Sequence, residues 1–124
     1  MASDLYIINV NEGEESFEDS LKKHELNLSK RIVEAICWAV ANGKSYVEVA
    51  KIVTSSHIVT LKSTEKFFLE TLKINMVTLI QYEEFELCAE AKKAIDILEE
   101  KKFQKFLENS NTDTTFTSDN EQDL

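Results

Sequence analysis

The chain has 124 residues, 43% hydrophobic and 30% charged, with two glycines, no proline and a net charge of −9. That length supports one domain with its own core, without disulfide or metal staples. The composition excludes collagen-like, proline-rich and Gly/Ser-linker architectures, and the longest apolar run (36–41) is far short of the roughly 20 residues that span a bilayer.

In chain order, Leu5, Tyr6, Ile7, Ile8 and Val10 form a short β-rich run, read as a buried strand. Asn11 to Gly13 punctuates it. Phe17, Leu21, His24 and Leu28 then recur at helical spacing behind an acid-rich first turn, which suits the positive end of a helix dipole. Ile32, Ala35, Ile36, Ala39 and Val40 continue that stripe, with Asn27 or Ser29 as a candidate new N-cap. Asn42-Gly43 ends it, because both residues tolerate the left-handed cap conformation.

From Tyr46 to Leu61 half the residues are β-branched, a density that favours two strands joined near Thr54-Ser55-Ser56-His57. The competing reading is a degenerate helix-turn-helix over 44–62, with Glu48-Val49-Ala50-Lys51 on its first helix. Such a unit would make the protein a nucleic-acid-linked transcriptional regulator. The single arginine, Arg31, counts against that, because arginine makes the bidentate contacts that read guanine and phosphate.

After Ser63, a candidate N-cap, the pattern stays helical. Phe68, Leu69, Leu72, Met76, Leu79 and Ile80 form one stripe. Leu87, Cys88, Ala91, Ala94, Ile95 and Leu98 form another, with Phe103, Phe106 and Leu107 as its extension. Only Gln81-Tyr82-Glu83-Glu84 separates them, so 64–107 is expected to be an antiparallel helical hairpin with Leu72, Met76, Phe85, Cys88, Ile95 and Leu98 buried. The tail from 109 is rich in Asn, Ser, Thr and Asp and is expected to be disordered. The fold class expected is α+β: a small three-stranded sheet, a long or broken helix and a C-terminal antiparallel helical hairpin, forming one domain over 1–108 with an acidic tail over 109–124.

The hairpin residues Met76, Leu79, Phe85-Glu86, Cys88-Ala89, Lys92, Ile95 and Leu98 resemble the UVR motif, a helical hairpin of bacterial excision-repair proteins and Clp-ATPase partners. The family pattern places Met nine residues before an aromatic-Glu pair, followed by two small residues and an Arg-Asp pair. Here Lys92-Lys93 stands where the family has Arg-Asp, and Leu79 where it has a small residue. The resemblance covers about 30 residues, by the lengths usual for such hairpins. It implies protein–protein binding rather than catalysis, with Phe85 plugging the turn. The overall composition is also similar to that of small accessory proteins of large tailed phages. That similarity implies action on host machinery, with RNA polymerase as the first partner to consider.

The charge is unevenly placed. Residues 1–19 carry −6 and residues 109–124 carry −4, which leaves the middle of the chain at +1. Acidic ends repel nucleic acid and anionic membranes and suit a basic protein surface. An acidic mimic of nucleic acid is the other reading, weakened by the near-neutral body.

Catalytic chemistry finds little to stand on. Cys37, Cys88, His24 and His57 lack the paired local spacing of zinc ligands, so no metal or other cofactor is expected. The two cysteines are read as buried thiols. Ser55-Ser56-His57 is read as turn chemistry rather than as a nucleophile beside its base. Glu83, Glu84, Glu86 and Glu90 are read as a solvated helix face. No catalytic residues are assigned. The partner-binding candidates are Trp38, Tyr82, Glu83, Glu86, Lys92 and Lys93. The N-terminus shows no secretory signal pattern, so a cytoplasmic protein is expected. Its partner would be a host or cellular protein, with no direct nucleic-acid or membrane binding, and self-association left open.

Overall fold

The computed structural model describes residues 6–11, 13 and 16–117. Strand β1 (Tyr6–Asn9) is followed by helices α1 (Phe17–Lys23) and α2 (Glu25–Ala41), strands β2 (Tyr46–Val53) and β3 (Ile58–Thr64), and helices α3 (Glu65–Gln81) and α4 (Phe85–Thr117). The α+β class expected from the sequence is the class observed. The sheet is mixed: β2 is central, parallel to β1 and antiparallel to β3. Parallel pairing of β1 and β2 requires a crossover, and α1 with α2 supplies it.

The segment 46–64 is a β-hairpin, so the helix-turn-helix reading of 44–62 is corrected. Its β-branched residues pack on a pleated surface better than on a helix. Val47, Val49, Ala50 and Ile52 are buried, and strict alternation breaks because a β-bulge lies between Glu48 and Ala50. The Val49 carbonyl, freed at the bulge, accepts from Arg31 Nε at 3.2 Å. The one arginine is thus engaged inside the fold.

One sheet face is covered by helix. Ile8, Val10 and Ile52 pack with Leu21, Leu28 and Leu61, and the main core joins Val33, Ile36 and Ala39 of α2 to Val47 and Val49, Phe68, Leu72 and Leu79, and Ala91, Ile95 and Leu98. The other face stays open and carries Ile7, Tyr46 and Ile58. Helix α2 touches the sheet, and α3 and α4 pack against α2 and against each other. Ser29 Oγ donates to Asn75 Oδ1 at 3.0 Å and ties α2 to α3.

Helix ends explain where the expectations shift. The first helix is broken at His24, so neither Asn27 nor Ser29 starts a new one. The Tyr6 hydroxyl meets His24 Nδ1 at the break, which ties it to β1. Ser16 caps α1 by accepting from the Asp19 N–H at 3.1 Å. Thr64, not Ser63, is the cap residue of α3. Helices α2 and α3 end alike. Lys44 N–H reaches Ala39 O and Gly43 N–H reaches Val40 O, and likewise Glu84 N–H reaches Leu79 O and Glu83 N–H reaches Ile80 O. Both are Schellman motifs, which need a left-handed residue at the turn. Gly43 fills that position with φ 67°, and Glu83 fills the other with φ 59°.

The antiparallel hairpin of α3 and α4 is present, but its packing corrects the expected burial. Leu72, Ile95 and Leu98 are buried and Met76 and Cys88 are partly buried, whereas Phe85 is 61% exposed. The Schellman turn is closed by backbone hydrogen bonds, so no aromatic plug is needed. Phe85 opens α4 on a face turned away from the core. The turn-plugging role that the UVR resemblance implies for Phe85 is therefore not the one it has here. Phe103, Phe106 and Leu107 are also exposed. Lys101 Nζ pairs with Glu65 Oε2, 3.9 Å away, at the very start of α3, so beyond that point α4 outruns the helix that covered it. Helix α4 continues through Thr117, across the start of the segment expected to be disordered, with no glycine or proline to stop it. The rest of that segment, 118–124, lies outside the described residues. No helix among the described residues is long and apolar enough to cross a membrane.

Candidate protein-docking groove

The C-terminal half of α2 and the first turns of α4 lie side by side and leave a groove of about 410 Å³, lined by Glu34, Cys37, Trp38, Ala41, Asn42, Leu87 and Glu90. Each helix contributes from a regular stripe. Glu34, Cys37, Trp38 and Ala41 follow at helical spacing along α2, and Leu87 and Glu90 at a step of three along α4. Trp38 is half-buried and packs against the main core. Its carbonyl accepts from both the backbone N–H (3.0 Å) and the side-chain amide (2.8 Å) of Asn42, which pins the end of α2 at the groove mouth.

The floor is apolar and the rim acidic. Burial, aided by the carboxylates of Glu90 and Glu34, pushes the Cys37 thiol up to about 11. Cys37 is therefore a neutral packing group at ordinary pH rather than a nucleophile. Both cysteines are free and half-buried, less enclosed than their stripes promised.

The candidate binding residues do not form one cluster. Glu86 and Lys93 share a face of α4 with Glu90, but of the three only Glu90 lines the groove that holds Trp38. Tyr82 and Glu83 form the α3–α4 turn and are exposed. Lys92 points to another face of α4, where its ammonium hydrogen-bonds Asp96 at 2.9 Å, a contact that raises its pKa. Glu34, Leu87 and Glu90 were not picked out from sequence as binding residues. The signal for Glu90 was its four-residue step from Glu86 on one helix face.

Lys30 pairs with Glu84 at 3.7 Å, and Arg31 holds the bulge carbonyl. Ser56 Oγ meets His57 Nδ1 at 2.8 Å. The same turn folds His57 N–H onto Thr54 Oγ1 at 2.9 Å, and all of Ser55, Ser56 and His57 are exposed at the hairpin tip, where nothing encloses a substrate. Among the described residues no group of three or more His, Cys, Asp and Glu is arranged to hold a metal.

Compared with protein-family models, curated proteins and solved structures, the chain matches none.

Proposed function

We propose that this chain is a non-enzymatic accessory protein that binds another protein through the groove between α2 and α4. The observation that carries the reading is the half-buried Trp38 in a largely apolar groove that Glu34 and Glu90 also line. A half-buried tryptophan is a favoured anchor at protein interfaces. The acidic rim selects a partner that inserts a basic side chain beside an apolar one. The acidic ends of the chain, −6 over 1–19 and −4 over 109–124, favour the same partner and steer its approach. RNA polymerase of a bacterial host is the first partner to test, on the compositional likeness to phage accessory proteins.

The test is surface-based binding kinetics with that polymerase immobilised. Trp38→Ala should weaken binding by about thirtyfold or more, the effect of losing a hot spot of ~2 kcal/mol. Glu34→Gln with Glu90→Gln should mainly slow association, as should raising salt about tenfold from roughly 0.05 M, with the off-rate little changed. Binding that ignores all three changes, or turnover of a substrate by the purified protein, would sink the proposal.

A further inference from the structure

The groove between α2 and α4 holds two carboxylates that the molecule leaves unbalanced. Glu34 and Glu90 come from different helices, are exposed, and pair with no base among the described residues. Both raise the proton affinity of the Cys37 thiol, so both fields reach the same part of the groove. An apolar groove with two uncompensated acids fits an occupant that carries cations beside apolar side chains.

The chain carries such a segment where α4 outruns α3. Phe103, Phe106 and Leu107 form one stripe there, three and four residues apart, and Phe106 is 63% exposed. Lys102 stands four residues before Phe106 and so borders the stripe, with Lys105 one turn further along. The other charges of the stretch are already engaged. Lys101 faces Glu65, Glu99 pairs with Lys73 at 3.1 Å, Glu100 accepts from Gln104 at 2.8 Å, and Glu108 has a contact of its own. Lys102 and Lys105 are exposed and pair with no acid among the described residues. The stretch thus has two ammonium groups to spare beside exposed rings, and the groove has two carboxylates to spare beside an indole. They cannot meet within one molecule. Glu90 and Phe103 lie on one continuous helix, roughly 20 Å apart along its axis at ~1.5 Å per residue.

We propose that the groove of one copy takes the Phe103, Phe106 and Leu107 stripe of a second copy, with Lys102 and Lys105 set against Glu34 and Glu90. This rests on the groove being a docking site, and it makes self-association the regulator of that site. A copy whose groove is filled by another copy cannot bind a different protein through it. The contact joins two different patches, so it is heterologous. It involves few side chains, which places it among weak, transient contacts that a tighter partner displaces.

Sedimentation equilibrium of the full chain tests this, over about 10 μM to about 1 mM, the range in which weak contacts populate. The average mass should rise above 14.2 kDa with concentration at low salt, and fall back when salt is raised about tenfold. Glu34→Lys with Glu90→Lys should abolish association, and so should Lys102→Glu with Lys105→Glu, with unchanged circular dichroism because all four sites are exposed. Mixing the two reversed variants should restore it, since each groove then meets a stripe of opposite charge. Phe106→Asp should weaken self-association by tenfold or more and leave Trp38-dependent binding of the polymerase intact, whereas Trp38→Ala should lose both. A wild-type chain that stays at 14.2 kDa up to about 1 mM overturns the inference, and the docking reading then still stands if the polymerase binds through Trp38. Association that survives both charge reversals, or reversed variants that do not associate when mixed, overturns it as well.

Discussion

Phe68 and Phe85 have the same side chain and opposite surroundings, and truncating each to alanine separates a packing argument from a pattern argument. Phe68 is 1% exposed and sits in the main core with Leu72, Leu79 and the α2 residues Val33 and Ile36. Phe68→Ala removes buried apolar surface and leaves a cavity that the α2–α3 packing cannot close, at a cost of about 3–5 kcal/mol. Phe85 leaves most of its ring in water, so Phe85→Ala should change stability by about 0.5 kcal/mol or less. The better helix propensity of alanine offsets part of what little packing the ring provides. Trp38 is the one tryptophan in the chain and reports unfolding by fluorescence. With a urea m-value of about 1–3 kcal/mol/M, Phe68→Ala should lower the midpoint by more than about 1 M, and Phe85→Ala should leave it within about 0.3 M. A chain of this size has only about 5–15 kcal/mol of stability. Should Phe68→Ala fail to fold, Phe68→Leu should give a measurable destabilisation of about 1–2 kcal/mol. A Phe85→Ala destabilisation above about 2 kcal/mol would refute the reasoning, since most exposed sites tolerate truncation far better than that. It would mean that the ring closes the hairpin as the UVR-like pattern implies.

The turns, the bulge and the thiol can be tested in the same way. Glu83→Gly should stabilise the protein by about 1 kcal/mol by relieving the left-handed residue in the α3–α4 Schellman turn, whereas Gly43→Ala should cost about as much at the end of α2; paired urea melts check both signs. Arg31→Met should cost about 1–3 kcal/mol by leaving the Val49 carbonyl at the bulge without its donor, and hydrogen exchange of the β2 and β3 amides should locate the damage. The Cys37 thiol is held above its usual value of 9.0, at about 11, so the folded state keeps a proton that the unfolded chain releases. Stability contributed by that group is present below pH 9.0 and falls as pH rises from there to about 11. Alkylation of Cys37 should accordingly lag behind that of an unfolded control across the same range.

Much of the local structure was legible because it depends on neighbours in sequence. β-branched density over 46–61 specified a hairpin, Asn42-Gly43 a helix end, and apolar spacing from 68 to 98 two helices joined too closely to be anything but antiparallel. The absence of glycine in the second turn hid its geometry, because Glu83 adopts a conformation that glycine would have announced. Tertiary packing decided the rest. The parallel pairing of β1 with β2 depends on where the α1–α2 crossover returns the chain, and no local pattern encodes that. The bulge at Val49 has no residue signature, and only the approach of Arg31 shows where its carbonyl is satisfied. Phe85 and Phe68 both lie on helices and are chemically identical, so periodicity alone could not say which ring faces a neighbour. Trp38, Glu34 and Glu90 meet only because α2 and α4 lie side by side. Side chains within a turn of each other are placed by the helix itself, but those on different elements are placed by how whole faces pack, and that is a property of the assembled core.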